Sequence, residues 1–264
     1  VRGRFPLASG VAMQDPGDGA NERGFAMDIR DPSRVVAPAI EREEIDQGLR
    51  SYMLRVYNYM ASGLALTGIV AYAVAQSPAA MHAIFGTPLQ WVAIFAPLIL
   101  VFVLSARINS MQASTAQALF WVYAALMGIS LASIFMIYTG TSIARVFFIT
   151  AGSFAGLSLY GYTTKRDLSG MASFLMVGLI GVVLASLVNL FLHSTGMQFA
   201  ISVIGVLVFA GLTAYDTQNI KEIYVANDSG EIATKKSVIG ALRLYLDFLN
   251  IFLFLLQLFG SQRN

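Results

Sequence analysis

The sequence has no cysteine, which excludes disulfides, thiolate zinc sites and a cysteine nucleophile. Charge is scarce: 12% of its 264 residues are charged, against about a quarter in a soluble domain. A net charge of +2 comes with no basic patch, so no nucleic-acid partner is expected. Only two histidines are present. His82 falls in a connection and His193 closes an apolar run, and each reads as a polar cap rather than a metal ligand. No lysine lies inside an apolar run away from its ends, which excludes a retinal Schiff base. No secretory signal is expected, because the first long apolar run begins only near Leu54.

What is abundant is apolar surface, at 56% of residues. Seven continuous stretches reach spanning length: Leu54–Ser77, Leu89–Ala106, Ala118–Tyr138, Ser142–Tyr162, Met171–His193, Gln198–Thr217 and Val238–Gly260. About 20 helical residues cross a hydrocarbon core of about 30 Å. Backbone polar groups in lipid are satisfied only by helices or closed barrels, and unbroken runs select helices. The expected fold class is therefore an all-α membrane protein of seven transmembrane helices, residues 46–264. Charge concentrates at the start, 17 of 32 formal charges falling in the first 55 residues, and residues 1–45, which mix both signs with Gly and Pro, are expected to form a mostly disordered tail. "AIEREEIDQGLRSY" is expected to be a helix on the membrane surface.

The connections alternate in charge. "SPAAMHAIFGTP", "TGT" and "STGM" carry no lysine or arginine, whereas the others carry Arg107, Lys165 with Arg166, and Lys221, Lys235 with Lys236. The positive-inside rule then places the N-terminus in the cytoplasm and the C-terminus outside, against Arg145 and Arg263. Trp91 and Trp121 read as interfacial anchors. Gly152 with Gly156, and Gly128 with Ala132, are spaced for close helix contact.

The last span carries a polar stripe. Arg243, Asp247, Asn250 and Gln257 lie at offsets that fall within about 80° of one another on a helix. Such a stripe is too expensive to face lipid, so the last helix belongs inside the bundle. Asp216 lies in "GLTAYDTQNIKEIY", Gly211 to Tyr224, five residues before Lys221, or about 8 Å of helix. Asp247 lies 11 residues past Lys236, or about 16 Å. The two carboxylates enter from the same side and meet if their helices are neighbours. Two such groups out of water share a proton and titrate together. An arginine beside them, Arg107 or Arg243, would hold them ionised as a latch. The other reading is a buried ion pair that only fixes packing.

"FAGLTAYDTQNIKEIY" resembles the signature of the Bax inhibitor-1 family. "VYNYMASGLALTG", "ARINSMQASTAQALFWVYAALMGISLASIF" and "SLYGYTTKRDLS" agree with it in order, so the resemblance covers about residues 50–260. It suggests a bacterial member in the inner membrane. The resemblance implies a seven-helix fold with the last helix central, and a pH-sensitive calcium leak. Its acid pair falls on Asp216 and Asp247, and its latching arginine on Arg107. Protonation breaking the latch opens the path. No cofactor is expected. Calcium is the permeant ion, held weakly and transiently by Asp216 and Asp247, with Asn250, Gln257, Thr213 and Thr217 lining the path.

The alternative is a membrane-embedded stress regulator that acts by binding partners such as a membrane protease. An intramembrane aspartyl protease would match Tyr215–Asp216, but "LYLD" lacks both glycines of its second motif. The chain is therefore not expected to be an enzyme.

Overall fold

The structure, a computed structural model, describes residues 32–263, with side chains from residue 46 onward. The tail expected over residues 1–45 thus falls mostly outside the described residues. Helices account for nearly all of the described chain: α1 Pro32–Ala75, α2 Pro78–Phe85, α3 Leu89–Arg107, α4 Ala113–Leu131, α5 Ile134–Ile137, α6 Gly140–Thr163, α7 Ser169–Leu192, α8 Thr195–Glu222 and α9 Gly230–Phe259. Seven stretches among the described residues are long and apolar enough to cross a membrane, with α4 and α5 counting as one. From Asp46 to Ala75 the chain is one uninterrupted helix, so the last part of the expected surface helix continues directly into the first span.

Local chemistry sets the ends. Ser77, Thr139, Ser194 and Ser229 each accept a backbone N–H of the first turn of α2, α6, α8 and α9 with the side-chain oxygen. Pro78 opens α2, where its missing N–H leaves nothing unpaired. The α7–α8 turn is tight because His193 adopts a left-handed conformation, φ 50°, and Asn189 braces it from within α7. Asn189 Oδ1 accepts from Ser194 N, and Nδ2 donates to Gln198 Oε1. Before α7, the Ser169 N–H donates to Asp167 Oδ1 and holds that carboxyl below its ordinary pKa.

The helices α2 and α5 occur inside segments read from sequence as a plain connection and as the end of the third span. Ala132 and Ser133 interrupt that span, and the chain turns before α6. The polar helices also run past their apolar cores. α9 begins eight residues before Val238, because Ser229 caps it and Glu231 complements its N-terminal dipole.

Helix α9 is the axis of the bundle. Its most apolar window is 61% buried, against 17% for α3 and α7, and α4, α6 and α8 all pack on it. Tyr245 of α9 is fully buried, edge-on to Phe120 and Tyr123 of α4. Its hydroxyl donates to Thr67 Oγ1 of α1 at 2.7 Å, and Thr67 in turn donates to backbone carbonyls of Gly63 and Ala124. One buried hydroxyl thereby ties three helices together. After α9, the chain is stitched back across α5 and α6. Arg263 N donates to Ile137 O, Ser261 N to Ser142 Oγ and Thr139 N to Ser261 O, with a bridge pairing Tyr138 and Gln262.

Glycines divide by their surroundings. Gly128 lies against Thr67 O and Val70 of α1, as its spacing with Ala132 predicts. Gly152 and Gly156 do not make a helix contact; a methyl at either would meet nothing within 4 Å. The close approach of α6 is made instead by Gly161, whose missing Cβ leaves room for the Ala214 carbonyl of α8. Gly161→Ala is therefore expected to destabilise the protein by about 1–3 kcal/mol through overpacking against backbone, and Gly152→Ala, which meets nothing, to raise stability by up to about 1 kcal/mol. Thermal unfolding of both variants in detergent checks this, and equal melting temperatures would contradict the assigned contact.

Candidate functional site

The polar residues of the "AYDTQNIK" motif sit near the end of α8, at the end of the bundle that also carries Arg50, Lys165 and Lys236. We call this the basic end. Each has its own neighbour. Asp216 faces α9, where its carboxyl lies within hydrogen-bonding reach of the Asp247 carboxyl. Thr217 is fully buried against α6, its hydroxyl 3.0 Å from Ser158 Oγ, which lies 2.6 Å from the Tyr57 hydroxyl of α1. Gln218 reaches the α6–α7 connection, accepting from Leu168 N and donating to Arg166 O, each at 2.8 Å. Asn219 accepts from Arg243 Nη1 at 2.9 Å. Lys221 donates to Tyr162 O at 2.8 Å and lies over the Tyr162 ring.

Asp247 is 3% exposed, and its Oδ2 is buried without a protein partner when both carboxyls are ionised. Asp216 lies toward the surface side of the pair, with Arg243 Nη1 3.9 Å from its Oδ1. That separation is a loose ion pair. The guanidinium is nearly half exposed and makes its close hydrogen bond to Asn219 instead. Among the described residues, Arg243 is the cation within ion-pair distance of the acid pair, at Asp216. A proton placed between the two acids would supply the donor that Asp247 Oδ2 lacks and remove their mutual repulsion, the chemistry of an acid dyad.

The other candidate residues are distributed as follows. Arg107 is exposed at the end of α3 and forms no ion pair among the described residues. Thr213 and Thr217 each donate to the carbonyl four residues earlier on α8, and Asn250 Nδ2 likewise donates to Leu246 O on α9. Gln257 sits at the far end of α9, where its Oε1 accepts from Gln198 Nε2 and Ser202 Oγ of α8. The polar stripe of α9 thus faces α8 at both ends. Between Asp247 and Gln257, about 15 Å of helix, Thr213 and Asn250 are turned onto carbonyls of their own helices, and the packing around them is apolar. Phe254 fills the notch left by Gly205 and lies 6.0 Å from the Phe209 ring, and Ile251 and Leu212 are buried nearby. The expected path residues therefore do not form a continuous polar lining in this conformation. No group of three or more acidic or histidine side chains able to hold a metal occurs among the described residues.

A sequence profile described as "Inhibitor of apoptosis-promoting Bax1" matches residues 49–264. The chain belongs to the Bax inhibitor-1 family. It is similar to the inner membrane protein YbhL of Escherichia coli K12, 50% identical over 219 residues that cover 82% of this chain and 94% of the relative. It is also similar to the uncharacterized protein RP147 of Rickettsia prowazekii, 47% identical over 234 residues, 89% of this chain and 99% of that one. A Borreliella burgdorferi protein is 45% identical over 81% of this chain and 93% of its own length. Membership agrees with the packing: the last helix is central, and the motif that carries the resemblance supplies one half of the acid pair.

Gln218 was not singled out from the sequence as a site residue, although it lies in the same motif. Its two hydrogen bonds satisfy buried backbone groups of the α6–α7 connection. Gln218→Leu is expected to cost about 1–3 kcal/mol, the penalty of leaving such groups unpaired, whereas the exposed Arg107→Gln should stay within about 0.5 kcal/mol. Thermal unfolding separates the two, and an unaffected Gln218→Leu would remove Gln218 from the support of the site.

Proposed function

We propose that this protein is a pH-sensitive calcium leak whose closed state is held by the Asp216–Asp247 pair together with Arg243. The observation that carries the reading is the contact of two carboxyl groups between neighbouring helices of an otherwise apolar bundle, one of them with an oxygen lacking a protein donor. Ionisable side chains at such depth are expensive, and in membranes they mark ion and proton paths.

The pair changes α8–α9 attraction with its charge. With an ionised Asp216, Arg243 is drawn toward it and α9 is held against α8 at the basic end. With both acids protonated, Arg243 loses its partner and the helices part more easily there. The sign follows: the leak rises as pH falls. Separation of α8 and α9 would also withdraw Phe254 from the Gly205 notch, the constriction on the route to Gln257. Calcium takes six to eight oxygens in a tight site. Two carboxylates with a few amide and hydroxyl oxygens bind it weakly, as passage demands. The protein acts without covalent chemistry and without a cofactor. The E. coli relative is named an inner membrane protein, and we assign this chain the same membrane. The basic end, with the N-terminus, faces the cytoplasm and the C-terminus faces outward.

The test is calcium entry into liposomes carrying the purified protein, compared between about pH 6 and pH 8. Wild type should leak faster at the acid end. Asp216→Asn and Asp247→Asn should flatten the profile, and retention of the wild-type profile by both would remove the pair from gating. Arg243→Ala should raise the leak at neutral pH. If Arg107→Ala does so and Arg243→Ala does not, the latch belongs to Arg107. Absence of flux at every pH would favour the second reading, a membrane-embedded stress regulator that binds partners such as a membrane protease.

A further inference from the structure

Helices α1 and α6 are joined at one hydroxyl pair, Tyr57 with Ser158, and elsewhere leave a groove between them. Two cavities make it up, of about 760 Å³ toward the basic end and about 680 Å³ beyond it. They share Leu64, Ala65 and Phe147 in their walls, so the groove is continuous. Its width comes from small side chains: Ala61 and Ala65 of α1 face Ala151 and Ala155 of α6, and Phe248 of α9 forms part of the floor. The interior offers almost nothing to a polar ligand. The Tyr57 and Ser158 hydroxyls are bonded to each other and onward to Thr217.

Charge appears at one end alone. Arg50 lines the mouth of the first cavity, exposed and without an ion pair among the described residues. Tyr162 lines it as well, and Lys221 is fixed over the Tyr162 ring, 5.7 Å from its centre. No carboxylate pairs with Lys221 among the described residues. From Arg50 to Ala65 the first cavity follows about 22 Å of helix, more than the roughly 15 Å depth of one hydrocarbon leaflet.

We propose that this groove is a binding site for an anionic phospholipid of the leaflet at the basic end. One acyl chain lies along the alanine-lined groove between α1 and α6, and the headgroup phosphate sits on Arg50, with Lys221 adding positive potential. The complementarity is of two kinds at once: an apolar channel as deep as a leaflet, and cations confined to the end where a headgroup lies. A neutral lipid satisfies the first and not the second. The site stands independently of the ion-leak reading, since it involves neither aspartate.

Native mass spectrometry of the full chain, titrated in detergent with phosphatidylglycerol and with phosphatidylcholine, tests it. Wild type should retain phosphatidylglycerol about fivefold better, the difference one basic side chain makes at an anionic lipid surface. Arg50→Gln should bring phosphatidylglycerol down to the phosphatidylcholine level. Ala155→Phe, which fills the groove at an exposed position, should reduce retention of both lipids. Equal retention of the two lipids by wild type overturns the proposal without recourse to any variant. So does an Arg50→Gln protein that keeps the wild-type preference, or an Ala155→Phe protein that keeps wild-type retention. Unchanged melting temperatures of both variants establish that the comparison is between folded proteins.

Discussion

Two carboxyl groups on neighbouring helices touch inside an apolar bundle, and that contact constrains the rest of the molecule. A helix bearing Asp247 cannot face lipid, because a charge at that depth costs about 3 kcal/mol even on insertion scales. It must be enclosed, and α4, α6 and α8 enclose it. Enclosure needs close approach, which Gly161, Gly128 and Gly205 allow where backbone or an aromatic ring meets the neighbouring helix. Enclosure also needs the remaining polar atoms of the core to find partners. Thr67, Ser158, Thr217 and Gln218 supply them, each bonded across to a different element.

The arrangement explains why one stretch of α8 is so densely polar. Five consecutive residues from Tyr215 to Asn219 point in nearly all directions around a helix. In lipid that would be ruinous, and on a free surface it would need no specific identities. Here each residue from Asp216 to Asn219 has its own partner: Asp247 of α9, Ser158 of α6, the backbone of the α6–α7 connection, and Arg243 of α9. The motif is a connector with a different chemical fitting on each face.

Much of this was legible in the sequence. Seven apolar runs locate the seven spanning stretches, and the stripe on the last of them shows that it is interior, because the cost of a polar face in lipid is large and local. Neighbourhood between helices is a different kind of information. Arg107 and Arg243 have the same chemistry and similar positions near span ends, and only packing shows that Arg243 reaches Asp216 in this conformation while Arg107 stays exposed. Glycine spacing predicted contact at Gly128 correctly and at Gly152 and Gly156 incorrectly, since small residues permit approach without compelling it. Hydroxyl and amide side chains looked like path lining, yet Thr213 and Asn250 satisfy themselves on their own helices. The short helices α2 and α5 carry too few residues for a periodic signal.

The stitching of residues 261–263 across α5 and α6 has a mechanical consequence. It pins the Phe259 end of α9 to its surroundings through backbone hydrogen bonds that do not titrate. The opposite half meets α8 through Arg243 and the Asp216–Asp247 pair. Under the proposed gating, a body clamped at one extremity and loosened at the other would swing about the clamp and not slide. Its displacement would grow with distance from the pivot, so the acids would lie where a small rotation produces the larger sideways travel.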